Sequence, residues 1–238
     1  MDILVSTDPA KIAGNKLSKR LEMSDGNQIL LMLSGGSALR VLEHIKPEFL
    51  SENVTISVVD ERFSTDKNIN NFSQLESTDF FDKCLMAGCV IIGTRIHKGE
   101  TLPSATMNFD TRLQKWRRLN PKGKIVALLG IGEDGHIAGV MPFVGKKKLF
   151  EDLFLDQEWV ASFDATGKNE HALRFTSTLT FLKGQIDHAV VFVQGQNKKE
   201  ALKKISDENL DINDVPAKIL CQMKDVVLCT DNQVEQLC

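Results

Sequence analysis

Short, uninterrupted apolar runs recur along the chain, separated by longer segments in which apolar residues return every three or four positions. Uninterrupted runs are typical of strands buried on both faces of a parallel sheet, and the longer spacing indicates amphipathic helices. The predicted strands cover residues 28–33, 54–59, 90–92, 125–129, 189–193 and 226–229. Strands that alternate with helices predict an α/β fold with a mostly parallel sheet and helices on both faces.

The helices have recognisable starting points in the sequence. Asp8 followed by Pro9 suits a first helical turn, because proline lacks the N–H that would be unpaired there. Further helices are predicted through 41–45, over 72–86, over 106–119 and from about Lys198. The threonine-rich segment 173–182 favours a strand, in a β-rich excursion together with 158–163, and Lys146–Lys148 are expected in a surface loop. We find no linker or repeat, so residues 1–238 are predicted to form a single domain.

Composition narrows the classes of protein that fit this pattern. Hydrophobic residues make up 42% and charged residues 26% of the 238 residues, which is ordinary for globular proteins. The net charge of −3 argues against a general nucleic-acid binder, because such binding relies on a basic surface. No run approaches the roughly 20 apolar residues of a membrane span. The five cysteines lack metal-site spacing. We therefore expect a cytoplasmic protein with free thiols, no metal, and no nucleic-acid or membrane partner, while its oligomeric state stays open.

Polar residues gather where predicted strands end, which is where ligands bind in open α/β sheets. The first group is Ser34-Gly35-Gly36-Ser37, between a strand and a helix. The two glycines permit a tight turn that exposes backbone N–H groups, and the helix dipole favours an anion at the same point. Such turns are common, so this group alone leaves phosphate binding and a purely structural turn both open.

Charged residues form the second and third groups of candidate site residues. Asp60-Glu61-Arg62 directly follow a buried strand, where they form either a ligand contact or a surface ion pair worth ~0–1 kcal/mol. Arg174 and Lys198 are two cations far apart in sequence. Lys198 lies at a predicted helix start, where the dipole disfavours a cation. A bound anion would remove that conflict, although a solvated lysine is the simpler interpretation.

The most informative group is the glycine-rich segment 130–136, which ends in Gly135-His136. Asp134 and His136 stand two residues apart at a strand end, so both can face the cleft if the loop is extended. A carboxylate beside an imidazole fixes its tautomer and stabilises its protonated form. Histidine titrates near neutral pH, which suits a general base. We therefore interpret His136 as catalytic and the other four histidines as structural.

Taken in order, these segments resemble the 6-phosphogluconolactonases. The resemblance rests on Gly35-Gly36-Ser37, on Asp60-Glu61-Arg62, on Leu129–Ile137, and on Arg174 with the Gly195–Lys198 segment. It spans about residue 29 to about residue 201. It implies the Rossmann-like sheet that these enzymes share with the glucosamine-6-phosphate deaminases.

The resemblance implies hydrolysis of 6-phospho-D-glucono-1,5-lactone to 6-phosphogluconate, without a metal or organic cofactor. It gives His136 as the base that activates water, with Asp134 as its neighbour. The residues that it implies for substrate binding are Gly35, Gly36, Ser37, Asp60, Arg62, Arg174 and Lys198. The expected partner is thus a phosphorylated sugar lactone.

Two alternatives stay open at this stage. The first is an amino-sugar phosphate deaminase or isomerase with Asp60 as a carbon base. Deaminases carry a glutamate five residues after the histidine, whereas this chain has Met141 there, and an aromatic residue where it has Arg62. The second is a sugar-phosphate-binding sensor, which would bind ligand without turnover and leave His136 and Asp134 unexplained.

Overall fold

The computed structural model describes residues 1–23, 26–167, 170–234 and 236–238. Within these residues, one sheet contains seven strands. They are β1 (Asp2–Val5), β2 (Ile29–Leu33), β3 (Val54–Val58), β5 (Val90–Ile91), β6 (Lys124–Gly130), β9 (His188–Val193) and β10 (Val226–Thr230). A smaller sheet contains β4 (Asp60–Arg62), β7 (Val160–Asp164) and β8 (Leu173–Ser177).

The large sheet confirms the predicted α/β class. Its strand order is β1-β10-β9-β6-β2-β3-β5, and every neighbouring pair runs parallel. The α-helices are α1 (Pro9–Glu22), α2 (Asn71–Glu76), α3 (Asp79–Met86), α4 (Leu102–Leu119), α5 (Lys147–Phe154), α6 (Leu179–Gln185) and α7 (Lys199–Ser206). Four 3-10 helices cover Gly36–His44, Pro47–Phe49, Gln196–Lys198 and Pro216–Gln222.

Helices pack on both faces of the large sheet, because successive side chains of a strand point to opposite faces. On β2, Leu31 packs in a core that includes Leu17 of α1. Its neighbour Leu30 packs in the opposite core, which includes Phe109 of α4. Both leucines of β2 are fully buried. With both faces covered, the carboxyl edge of the sheet is where a cleft can form.

The small sheet is the β-rich excursion that the sequence predicts. β8 pairs antiparallel with β7 on one side and with β4 on the other. β4 follows β3 after a single residue, Val59. The small sheet therefore begins at the carboxyl edge of the large one and carries the charged residues of β4 there.

Two segments differ from their predicted structure because threonine side chains cap helices. The predicted helix 72–86 is two helices, since Thr78 accepts a hydrogen bond from Phe81 N at 3.3 Å and starts α3. The predicted strand 173–182 ends at Ser177, since Thr178 accepts from Phe181 N at 3.1 Å and starts α6. A hydroxyl that caps a helix competes with strand or helix continuation, so composition alone misreads such residues.

Other differences are smaller. β1 is an additional strand that the sequence did not predict, and the expected surface loop at Lys146–Lys148 is the start of α5. The helix after the glycine turn is a 3-10 helix. No helix in the described residues is long and apolar enough to cross a membrane. The organisation of residues 1–238 as one domain stays a prediction.

The expectation of five free thiols is wrong for two cysteines. Cys221 and Cys238 form a disulfide with a Cα–Cα distance of 5.4 Å, and they lie 17 residues apart in sequence. Cys84, Cys89 and Cys229 are buried and free. A spacing of this length carries no pairing signal, so only the three-dimensional structure reveals the bond.

The Cys221→Ser and Cys238→Ser variants are each expected to lose ~3 kcal/mol of unfolding free energy, because the opened loop restores chain entropy to the unfolded state. Urea unfolding without reductant measures this loss. Wild-type protein with reductant should fall to the level of the variants, whereas reductant should not change the variants. A wild-type midpoint that is the same with and without reductant would contradict this prediction.

Candidate active site

A cleft with a volume of about 210 Å³ lies at the carboxyl ends of β2, β6 and β9, beside the small sheet. The site residues predicted from the sequence that line it are Gly35, Gly36, Ser37, Asp60, Arg62, His136, Arg174 and Lys198. Asp134 does not line the cleft, but it contacts His136. The structure therefore brings together residues that are more than 160 positions apart in sequence.

The glycine turn after β2 forms one wall of the cleft. Gly36 has a φ of 62°, a conformation that glycine adopts readily. A Cβ atom at Gly35 would collide with the Asn71 side chain, so this position also requires glycine. The 3-10 helix that begins at Gly36 leaves its first backbone N–H groups without intrahelical partners. This wall therefore offers backbone donors to an anion.

The loop after β6 forms a second wall and orients His136. His136 Nδ1 lies 2.6 Å from Asp134 Oδ1, and the backbone N–H of His136 donates to the same oxygen at 3.1 Å. Because Nδ1 is engaged, Nε2 is the ring nitrogen left to face the cleft. A Cβ atom at Gly132 would collide with the His136 ring, so the loop can hold the imidazole in this position only with glycine there.

Two opposing effects set the ionisation of Asp134. Partial burial raises the pKa of its carboxyl, but the hydrogen bonds and charge of His136 outweigh that effect. The pKa of Asp134 therefore lies below its ordinary value. An ionised Asp134 fixes the imidazole orientation and stabilises the imidazolium that a general base becomes.

The small sheet contributes two arginines that face each other. Arg62 of β4 and Arg174 of β8 are register partners in the antiparallel ladder. Arg174 is only 4% exposed. Burial lowers the pKa of its guanidinium, Asp60 opposes that change, and Arg62 adds to it. The Nε atoms of both arginines are buried and have no hydrogen-bond partner in the described structure. Both guanidinium groups belong to residues that line the cleft, so the pair brings two positive charges to it.

Lys198 supplies a third cation to the cleft. It ends the 3-10 helix Gln196–Lys198, directly after β9 and the turn at Gly195. It lines the same cleft as Arg174. Three cations against the single cleft carboxylate of Asp60 leave the cleft positively charged, and this charge favours a phosphorylated ligand.

Glu61 does not line the cleft, but it connects two elements that lie beside the cleft, β4 and α2. Its fully buried carboxylate accepts hydrogen bonds from the backbone N–H groups of Arg62, Asn71 and Phe72, and from the hydroxyl of Thr94. These bonds tie β4 to the start of α2. Burial raises the pKa of Glu61 to about 7, against the hydrogen bonds, which favour the ionised form.

Asn71, Gln194 and Ala138 also line the cleft, and reasoning from the sequence did not predict them. Asn71 donates to the Asp60 carbonyl at 3.0 Å, while its buried Oδ1 has no partner among the described residues. Gln194 directly follows β9 and lines the cleft. Ala138 has a φ of 50°, a strained value that concentrates at functional sites. The position of Gln194 directly after a predicted strand was the one available signal.

The fold and the cleft define an α/β protein in which backbone donors and cations share one cleft with an aspartate-oriented histidine. No group of three or more metal-ligating side chains occurs within the described residues. The family model described as "Glucosamine-6-phosphate isomerases/6-phosphogluconolactonase" matches residues 8–229. The chain belongs to this family.

Individual relatives agree with the family match. A 6-phosphogluconolactonase of Borreliella burgdorferi is 26% identical over 189 residues, which cover 79% of this chain and 76% of the relative. The structure of a 6-phosphogluconolactonase from Plasmodium vivax superposes with a TM-score of 0.74 at 17% identity, over 96% of this chain and 90% of that chain. The structure of a 6-phosphogluconolactonase from Trypanosoma brucei superposes with a TM-score of 0.72 at 18% identity, over 96% of this chain and 95% of that chain. These structures confirm the predicted fold.

The raised pKa of Glu61 predicts how stability depends on pH. The folded protein holds this proton up to about pH 7, whereas the ordinary value is 4.5. Since the folded state binds more protons between these values, Glu61 makes stability fall as pH rises from 4.5 to 7. The Glu61→Gln variant lacks this titration. Urea unfolding of both proteins across that range should show wild type losing stability relative to the variant, and parallel curves would contradict the assignment.

Proposed function

We propose that this protein hydrolyses 6-phospho-D-glucono-1,5-lactone to 6-phosphogluconate, a step of the pentose phosphate pathway, with His136 activating the water. We also propose that it acts in the cytoplasm, where the Cys221–Cys238 bond is open to reduction. The family match and the name of the Borreliella burgdorferi relative support this reaction. The roles of the site residues are part of the proposal.

One observation carries the proposal. A histidine held by Asp134 at 2.6 Å shares a single cleft with the cations Arg62, Arg174 and Lys198. A phosphorylated lactone needs both features, a base for water at the carbonyl and positive charge for the phosphate. A protein that only binds its ligand would leave the oriented histidine unexplained. An enzyme for an unphosphorylated substrate would leave the three cations unexplained.

The phosphate is held at the cationic end of the cleft. In this proposal the backbone of Gly36 and the hydroxyl of Ser37 donate to it, together with Arg174 and Lys198. Arg62 lies over the sugar ring. These contacts do not react, but they fix the lactone carbonyl relative to His136, and remote binding energy of this kind lowers the barrier.

The chemistry is a general-base hydrolysis. His136 Nε2 takes a proton from water as the water oxygen bonds to C1 of the lactone, and the carbonyl becomes an oxyanion. Arg62 or cleft backbone N–H groups stabilise that oxyanion. The C1–O bond to the ring oxygen then breaks, and the imidazolium returns its proton to that oxygen. Asp134 stabilises the imidazolium throughout.

The deaminase alternative within the same family is less well supported. Asp60 does line the cleft, where a carbon base would have to be. However, Met141 stands where deaminases carry a glutamate, and its side chain is 1% exposed within the hydrophobic core. That position supplies no carboxylate for ring opening, so the chain fits the lactonase better.

The central test compares wild type with His136→Asn on freshly prepared 6-phosphogluconolactone. Loss of the base should lower kcat by about 10²–10⁴-fold, while the fold and phosphate binding persist. The spontaneous opening of the lactone is measured alongside and subtracted. A near-normal rate in the variant would remove His136 from the mechanism. No acceleration by wild type, combined with ammonia release from glucosamine 6-phosphate, would establish the deaminase instead.

The Gly132→Ala variant tests the placement of the imidazole without removing it. The new methyl group must displace the His136 ring, so kcat should fall by about 10²-fold, as for an ångström-scale misplacement. Gly184→Ala is the matched control, because a Cβ atom there meets nothing within 4 Å, and it should retain the wild-type rate. Equal activity of both variants would show that the position of the ring is not critical.

A further inference from the structure

The turn that carries Lys198 depends on an unusual backbone conformation at Gly195. This residue has a φ of 106° and a ψ of 148°, which side-chain-bearing residues rarely adopt. The Lys198 N–H donates to the Gly195 carbonyl at 3.1 Å. Glycine can also adopt many other conformations, so the contacts of Gly195 decide which one it takes and thereby where Lys198 lies.

Two neighbouring residues at the end of β10 hold both polar groups of Gly195. The Gly195 N–H donates to the two carboxylate oxygens of Asp231, at 2.9 and 3.2 Å. The Gly195 carbonyl accepts from Asn232 Nδ2 at 3.1 Å. β10 and β9 are parallel neighbours with Thr230 opposite Val193, so the sheet itself brings this pair beside the turn.

Asp231 and Asn232, together called the clamp, are held in place by hydrogen bonds of their own. Asn232 is 2% exposed, and its backbone N–H donates to Thr230 Oγ1 at 3.1 Å. Asn232 Nδ2 also donates to Asp231 Oδ1 at 2.9 Å, which orders the two side chains together. Other contacts of the turn, such as Asn197 Nδ2 to Glu133 Oε1 at 2.6 Å, are exposed. The hydrogen bonds of Asp231 and Asn232 to Gly195 are partly buried, so they are the firmer of these attachments.

We propose that Asp231 and Asn232 are positioning residues that hold the Gly195 turn and thereby place the Lys198 ammonium against the phosphate of the substrate. Neither residue lines the cleft, so both act through Gly195. The inference rests on the proposed function for the identity of the substrate. It predicts that the pair sets the preference for phosphorylated over unphosphorylated lactones.

The test compares Asp231→Ala on 6-phosphogluconolactone and on glucono-1,5-lactone, which lacks the phosphate. For the phosphorylated lactone, KM should rise roughly tenfold with kcat nearly unchanged, as when ground-state binding is lost. For glucono-1,5-lactone, kcat/KM should stay at the wild-type value. Asp231→Asn keeps an acceptor oxygen for the Gly195 N–H and should restore most of the KM.

Two further variants separate positioning from a general structural role. Gln233→Ala alters an exposed neighbour in the same segment and should behave as wild type. In a Lys198→Met background, Asp231→Ala should cause almost no further rise in KM, because both changes remove one interaction. The inference would be overturned if Asp231→Ala lowered kcat/KM equally for both lactones. It would also be overturned if Asp231→Ala raised KM in the Lys198→Met background as much as it does in wild type.

A separate measurement keeps this result distinct from failure of the proposed function. If wild type accelerates neither lactone, the proposed function fails, and titration calorimetry with inorganic phosphate then decides the inference. Weaker phosphate binding by Asp231→Ala than by Gln233→Ala would support the clamp. Equal binding by the two variants would overturn it.

Discussion

Two arginines occupy directly opposed positions on adjacent strands, and the cleft is organised around this constraint. Like charges opposite each other destabilise a sheet, and Arg174 is buried as well. Asp60 offsets part of the repulsion, and the attachment of β4 to α2 through Glu61 keeps the pair in place. In the proposed complex, the phosphate of the substrate lies beside Arg174 and offsets more of the repulsion.

The parallel sheet determines what surrounds this pair. Because β2, β6 and β9 end at the same edge, the glycine turn, the His136 loop and the Lys198 turn meet there. Each connection is shaped by close approach. Gly35 lies against Asn71, and Gly132 lies against His136. The cleft brings backbone donors and cations together with the imidazole of His136. The proposed mechanism assigns the phosphate to the donors and cations, and proton transfer to His136.

Much of this arrangement was predictable because it follows from local rules. Buried apolar runs predict parallel strands, and strand ends predict the location of a site, so Asp60 and His136 could be predicted to lie at the cleft that they line. What was missed depends on contacts between distant segments. The Cys221–Cys238 bond, the cleft position of Asn71 and the Asp231 clamp on Gly195 all require knowledge of which elements are adjacent. Thr78 and Thr178 were misread because a capping hydroxyl resembles a strand residue in composition.

A crystal structure of the complex with 6-phosphogluconate would test the central claim most directly, because the orientation of the product reports which end of the cleft binds phosphate. The account predicts the phosphate between the Gly36-Ser37 turn, Arg174 and Lys198. It also predicts the C1 carboxylate within hydrogen-bond distance of His136 Nε2. A reversed product, with its carboxylate on the arginines and its phosphate beside His136, would contradict the account, as would binding outside the cleft.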